Sequence, residues 1–219
     1  LISIADKNNL VLQVGHVERF NPAVMKLKEI VKNPLYIEMD RLGAFSQRSL
    51  EVGVVLDLMI HDIDILLSLV PNKIKSIDAI GVPVFTQHED ISNVRISFDN
   101  GGLADLSASR VTPDGQRKLR IYQPGAYISL NYQNQEIYIY HVIEEKEDDK
   151  VKRDIVFNTL QVLPGEPLRL ELKNFVDCVV NDREPVVSGE HGRDALEIAM
   201  KITKKIREKW EKTMQKPFL

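Results

Sequence analysis

Between Val54 and Leu69 the chain reads VVLDLMIHDIDILLSL. At about 100° per residue, a helix here gathers Asp57, His61, Asp64 and Ser68 into a stripe about 60° wide. The rest of the circumference is Val, Leu, Ile or Met, with Asp62 the one other polar position. A helix apolar over most of its surface belongs in the interior. Carboxylates and an imidazole are costly there unless paired or hydrogen-bonded, so the stripe is expected to line a cleft. An imidazole titrates at about 6.5 and suits a general base at neutral pH. Asp57, one turn before His61, would orient that ring and stabilise its charged form, and Asp64 would support the pair or touch a ligand. The plain alternative is a buried polar cluster that only holds the helix to its neighbours. A divalent ion on Asp57 and His61 is another, although no further ligand cluster is evident in the sequence.

Other residues could serve the same cleft. His16 ends a short run, VLQVGH, that reads as a buried strand, and ligands gather at strand ends in open α/β sheets. Arg19, in Arg19-Phe20-Asn21-Pro22, either faces the cleft or pairs with an acid. Arg41 and Arg48 flank the loop that leads into the striped helix, where two guanidinium forks could clamp a phosphate bidentately; ordinary surface arginines are the alternative. Lys118, Arg120 and Tyr122 share one strand face and read as a solvated surface. Cys178 sits on an apolar helix and reads as core, and Trp210 as an anchor late in the last helix.

The elements that must position these residues are legible in outline. LISIADKNNL reads as the end of a helix stopped at Lys7-Asn8-Asn9. A strand over Val11–Val14 follows, then a helix over Ala23–Lys32 with Asn21 as N-cap and Pro22 in its first position. Next come a strand at Leu35–Arg41, a loop from Gly43 to Val52, and the striped helix, closed by Pro71-Asn72. Beyond Lys73 the periodicity changes to extended runs at Ile74–Val84, Ile91–Phe98, Leu103–Ser109, Lys118–Gln123, Tyr127–Tyr132 and Glu136–Val142. Asp99-Asn100-Gly101-Gly102, Pro113-Asp114-Gly115 and Pro124-Gly125 punctuate them as antiparallel hairpins would be punctuated. The charged tract Glu144–Asp154 reads as a solvated hairpin tip or loop. Two helices, Leu168–Asn181 and Gly189–Lys212, finish the chain. Helices segregated from a mostly antiparallel open sheet make an α+β fold with the helices on one face.

Bulk properties exclude several classes. The 219 residues are 43% hydrophobic and 28% charged, with a formal net charge of −3, so there is no basic signature for nucleic acid. No run of about 18 apolar residues suggests a membrane span. A single cysteine rules out an internal disulfide and agrees with a reducing cytoplasm. The opening residues lack the parts of a signal peptide and read as the continuation of an upstream domain.

Three segments resemble the Gfo/Idh/MocA oxidoreductase family: VLQVGHVERFNPAV (Val11–Val24), the spacing G-x-x-x-D-x-x-x-H-x-x-D at Gly53, Asp57, His61 and Asp64, and SGEHGRDALEIA (Ser188–Ala199). The resemblance implies an enzyme in two parts, with residues 1–16 ending an NAD(P)-binding Rossmann domain and residues 17–219 forming the substrate and oligomerisation domain. It implies NAD or NADP, bound mainly by the upstream part, since the G-x-G-x-x-G fingerprint and the family's Glu-Lys-Pro segment are missing here. It implies that Gly15 and His16 pass near the nicotinamide. It assigns Asp57 and His61 to catalysis, with Asp64, Arg19, Arg41 and Arg48 toward a sugar or sugar nucleotide, for example a UDP-sugar such as UDP-N-acetylglucosamine. A homodimer or homotetramer through the open sheet face would cover Tyr and Ile side chains along Tyr127–Tyr140. The rivals are a non-catalytic ligand-binding or assembly domain on the same fold, and a metal-dependent hydrolase or isomerase.

Overall fold

The structure is a computed structural model that describes residues 1–47, 50–147 and 150–213. A short helix, α1 (Ile2–Lys7), leads into an extended segment whose one pairing is a bridge between Gln13 and Ser188. The strand expected at Val11–Val14 is therefore not part of a ladder. A 3₁₀ turn over Val17–Phe20 precedes α2 (Pro22–Ile30), where the Asn21 side chain accepts from the Ala23 N–H at 3.1 Å and Pro22 opens the helix as the sequence requires.

The strands β1 (Tyr36–Leu42), β2 (Ile74–Val82), β3 (Ile91–Phe98), β4 (Leu103–Ser109), β5 (Gln116–Gln123), β6 (Ala126–Asn131), β7 (Glu136–Glu147) and β8 (Lys150–Leu160) form one sheet in the order β2-β3-β4-β1-β5-β6-β7-β8. Every neighbouring pair is antiparallel except β1 with β4. Alternation of side chains puts Ile37, Met39, Val94, Ile96, Leu106, Leu119, Ile121, Ile128, Leu130 and Ile137 on one buried face. On that face lie α3 (Ile60–Leu69) and α5 (Gly189–Thr213), which pack on each other while α5 also packs on β2. Trp210 locks the end of α5 by donating its indole N–H to the Gly81 carbonyl at 2.7 Å. Between β8 and α5 runs α4 (Pro167–Asn181), packed against the 3₁₀ turn. Cys178 is its one fully buried residue.

Two expectations change. Residues 150–160 form a strand that pairs with β7 in register, Glu144 opposite Arg153 at 2.8 Å and Tyr140 opposite Phe157. The charged tract is thus two strand ends, because opposite charges face each other across the ladder and solvate the same edge; Asp148 and Asp149 lie outside the described residues. β2 stops at Val82 instead of Val84. The backbone N–H groups of Val84, Phe85 and Thr86 turn to the Asp90 carboxylate at 2.8, 2.7 and 2.9 Å, which pulls the chain out of the ladder.

Candidate active site

The striped helix does not begin as an α-helix. Val55–Met59 is a π-helical turn, and the α-helical geometry of α3 starts at Ile60. Such turns recur at functional sites because they re-aim side chains that an α-helix would keep in register. The turn is pinned at its N-terminus by Glu89. Its carbonyl accepts from the Val54 N–H at 2.9 Å, and its carboxylate faces the Val55 N–H at 3.4 Å. A Cβ at Gly53 would overlap that carboxylate, so the glycine is required by the close approach of the acid. Neither Glu89 nor Arg110, which donates to the Val52 carbonyl and pairs with Asp90 at 3.6 Å, is apparent from helix periodicity.

His61 is half-buried and Asp57 half-buried one turn before it. The imidazole does not bond to Asp57. Its Nδ1 lies 3.4 Å from Nδ1 of His16, and the two rings meet edge to face at 85° with centroids 5.5 Å apart. Asp57 makes no side-chain hydrogen bond or ion pair among the described residues. The expected Asp57–His61 pair is therefore corrected: the partner of the ring comes from the end of the extended segment, which the sequence pattern does not bring near the helix. Burial lowers the His61 pKa and Arg41 lowers it further, while Asp62, Glu18 and Asp57 act in the opposite sense. Burial, with His61, Arg19 and His191 adding to it, lowers His16 to about 4.

The arginines are committed elsewhere. Arg41 is buried and binds Asp62 with both arms of its fork, Nε to Oδ2 and Nη2 to Oδ1 at 2.8 Å each. Glu18 accepts from its Nη1 at 3.4 Å, and its guanidinium stands 5.5 Å from the centre of the Tyr132 ring. A phosphate cannot use a fork that a carboxylate already fills, so the expected ligand clamp at Arg41 is corrected to a buttress. Asp62, the polar residue off the stripe, is the reason. Burial of that carboxylate demanded a partner, and β1 supplies it. Arg48 lies outside the described residues.

Arg19 is likewise buried, its Nη1 3.4 Å from Asp64 Oδ1 and its Nη2 3.4 Å from the Val186 carbonyl. Asp64 is 2% exposed, and burial raises its pKa from 3.8 to about 6 against the opposing pull of Arg19 and Lys28. Its Oδ2 has no hydrogen-bond partner among the described residues. Asp64 lines a cleft of about 410 Å³ with Arg19, Lys28, Ser68 and His191, a different one from the His61–His16 contact. The stripe is therefore split: His61 and Asp57 face one side, Asp64 and Ser68 another. Gly15 is exposed beside His16. Among the described residues no three His, Cys, Asp or Glu side chains converge on a metal position. No described helix is long and apolar enough to cross a membrane.

Residues 32–128 match the GFO/IDH/MocA C-terminal domain, and this match together with the relatives below supports a place in the GFO/IDH/MocA oxidoreductase family. It is 31% identical over 213 residues to the UDP-N-acetylglucosamine 3-dehydrogenase of Acidithiobacillus ferrooxidans, covering 92% of this chain and 64% of that protein. It is 28% identical to the scyllo-inositol 2-dehydrogenase (NAD(+)) of Bacillus subtilis, covering 92% and 62% respectively. A solved structure of UDP-N-acetylglucosamine 3-dehydrogenase from Acidithiobacillus ferrooxidans matches with a TM-score of 0.85 at 30% identity, over 94% of this chain and 65% of that one. The chain thus spans less than two-thirds of the length of these relatives.

Proposed function

We propose that this chain is the substrate domain of an NAD(P)-dependent oxidoreductase that moves a hydride between a secondary hydroxyl of a sugar or sugar nucleotide and nicotinamide. Residues 1–16 would end the nucleotide-binding domain, and Gly15 and His16 would meet the nicotinamide. The observation that carries the proposal is His61: a half-buried imidazole on a pinned helix, one turn after a carboxylate that makes no side-chain hydrogen bond or ion pair among the described residues. Oxidation of an alcohol releases a hydride from carbon and a proton from oxygen. The nicotinamide, when bound, accepts the hydride. His61 takes the hydroxyl proton, and its depressed pKa keeps the ring neutral and ready to accept at pH 7. Asp57, without a side-chain hydrogen bond or ion pair among the described residues, binds the substrate hydroxyls on the same side.

Arg41–Asp62 and Arg19–Asp64 then hold the helix and the 3₁₀ turn in place instead of touching substrate. The named relatives act on UDP-N-acetylglucosamine and an inositol, which favours a cyclic polyol or a UDP-hexose, with UDP-N-acetylglucosamine first to try. A homo-oligomer through the outer sheet face completes the proposal. Absorbance of reduced cofactor, followed with the full-length protein across UDP-sugars and free polyols, tests it. Turnover of at least one of them supports the assignment. Nicotinamide binding without turnover of any would point to a ligand-binding domain that has lost its chemistry.

A further inference from the structure

The contact between His16 and His61 carries an inference that rests on the proposed role of His61 as proton acceptor. A hydrogen bond between two Nδ1 atoms 3.4 Å apart needs one proton and one lone pair. One ring must therefore be the Nδ1–H tautomer and the other must present a bare Nδ1. The two choices differ for chemistry. If His61 accepts, its own proton sits on Nε2 and that nitrogen cannot act as a base. If His61 donates, Nε2 keeps its lone pair.

The surroundings decide between them. The groups acting on His16 from neighbouring elements are the cations or potential cations Arg19 on the 3₁₀ turn, His191 on α5 and His61 on α3. Those acting on His61 are Arg41 on β1, opposed by Asp62, Asp57 and Glu18. Every charge acting on His16 disfavours a proton there, whereas at His61 the larger effects of burial and Arg41 are opposed by three carboxylates. We propose that His16 is a positioning residue, a neutral hydrogen-bond acceptor that fixes His61 as its Nδ1–H tautomer and leaves Nε2 to receive the substrate proton. It does the work that a carboxylate does for the imidazole of a hydrolytic triad. Being uncharged, it steers the ring without the rise in basicity that a carboxylate would bring, and the pair carries at most one positive charge. After transfer, His61 carries that proton on Nε2 and still donates Nδ1–H to His16, and nothing else in the pair changes protonation.

The test uses full-length protein labelled with ¹⁵N-histidine, with signals assigned through His16 and His61 variants. Near pH 7.5, His61 is expected to show a protonated Nδ1 and a bare Nε2, and the opposite pattern overturns the proposal whether or not the protein turns over any substrate. In the pH profile of kcat, His16→Ala is expected to lower the plateau about 10- to 100-fold, as loss of a partner behind a working imidazole does. His16→Asn, whose amide oxygen can accept in place of Nδ1, should recover part of that loss. His16→Asp should move the acid limb of the profile to higher pH, because a carboxylate stabilises the imidazolium. A purely structural role predicts equal losses in all three variants with no movement of the limb, and that result would also overturn the proposal.

Discussion

At the scale of single residues, two buried ion pairs frame the site and behave differently. Arg41 and Asp62 are satisfied by a two-pronged contact. Removing one partner leaves a buried charge, so Asp62→Ala is expected to cost about 3–5 kcal/mol in denaturant unfolding, whereas a loss below about 1 kcal/mol would mean that the pair is dispensable. Asp64 and His16 make stability depend on pH in opposite directions. In the folded chain Asp64 titrates at about 6 instead of 3.8, so between those values the folded state holds more protons than the unfolded one. Stability from this group therefore falls as pH rises through the window. His16 is lowered from 6.5 to about 4, the unfolded state holds more protons there, and stability rises with pH. Each effect is about 3 kcal/mol at full extent. Asp64→Asn should therefore steepen the rise in stability from pH 4 to 6.5, and His16→Asn should flatten or reverse it, read from unfolding midpoints across that range. Identical slopes in both variants and the parent would contradict the assignment. The residue types of the site were legible in the sequence because so apolar a helix cannot hide acids and an imidazole without purpose. Their partners were not, because His16, Glu18 and Arg41 reach the helix only through tertiary packing.

Among the elements, the helix that carries His61 depends on a contact made from the connection between β2 and β3. Glu89 sits over the first N–H groups of the π-helical turn, where a negative charge also meets the positive end of the helix, and Gly53 leaves it room. Gly53→Ala is expected to destabilise the fold by about 1–3 kcal/mol and to lower turnover through displacement of His61. Glu89→Ala in the same chain should relieve the overlap, so the double variant should lose less than the sum of the singles, by an interaction of about 0.5–3 kcal/mol in a double-mutant cycle. Strict additivity would sink the idea that the two share one contact. Helix and strand positions followed from periodicity and from turn pairs such as Pro124-Gly125, where Gly125 takes a φ of +75°. The π-helical turn was not readable, since Glu89, which pins its first N–H groups, lies 34 residues away in sequence. β8 was missed as a strand because its Lys and Arg residues suggested a solvated hairpin tip or loop, whereas Arg153 stands opposite Glu144 across the ladder.

For the whole molecule, the sheet has one face packed and one open. On the open face Tyr36, Tyr122, Tyr127, Tyr140 and Phe157 form a row of aromatic contacts across five strands, with neighbouring centroids 4.8–5.9 Å apart. The isoleucines expected to share that surface do not. Ile128 and Ile137 point into the chain's own core, because alternation sends them to the opposite face from the tyrosines. If the open face joins copies of the chain, Tyr140→Asp together with Phe157→Asp should reduce the mass measured by sedimentation to that of a monomer, while an unchanged mass would remove this face from the assembly. The proposed function brings a nicotinamide against His61. The most direct measurement is therefore the turnover of full-length His61→Ala beside its cofactor affinity. A loss of about 100- to 10,000-fold in kcat with nicotinamide affinity within about twofold of the parent is the result expected of a proton acceptor. Equal losses in kcat and in cofactor affinity would contradict that role.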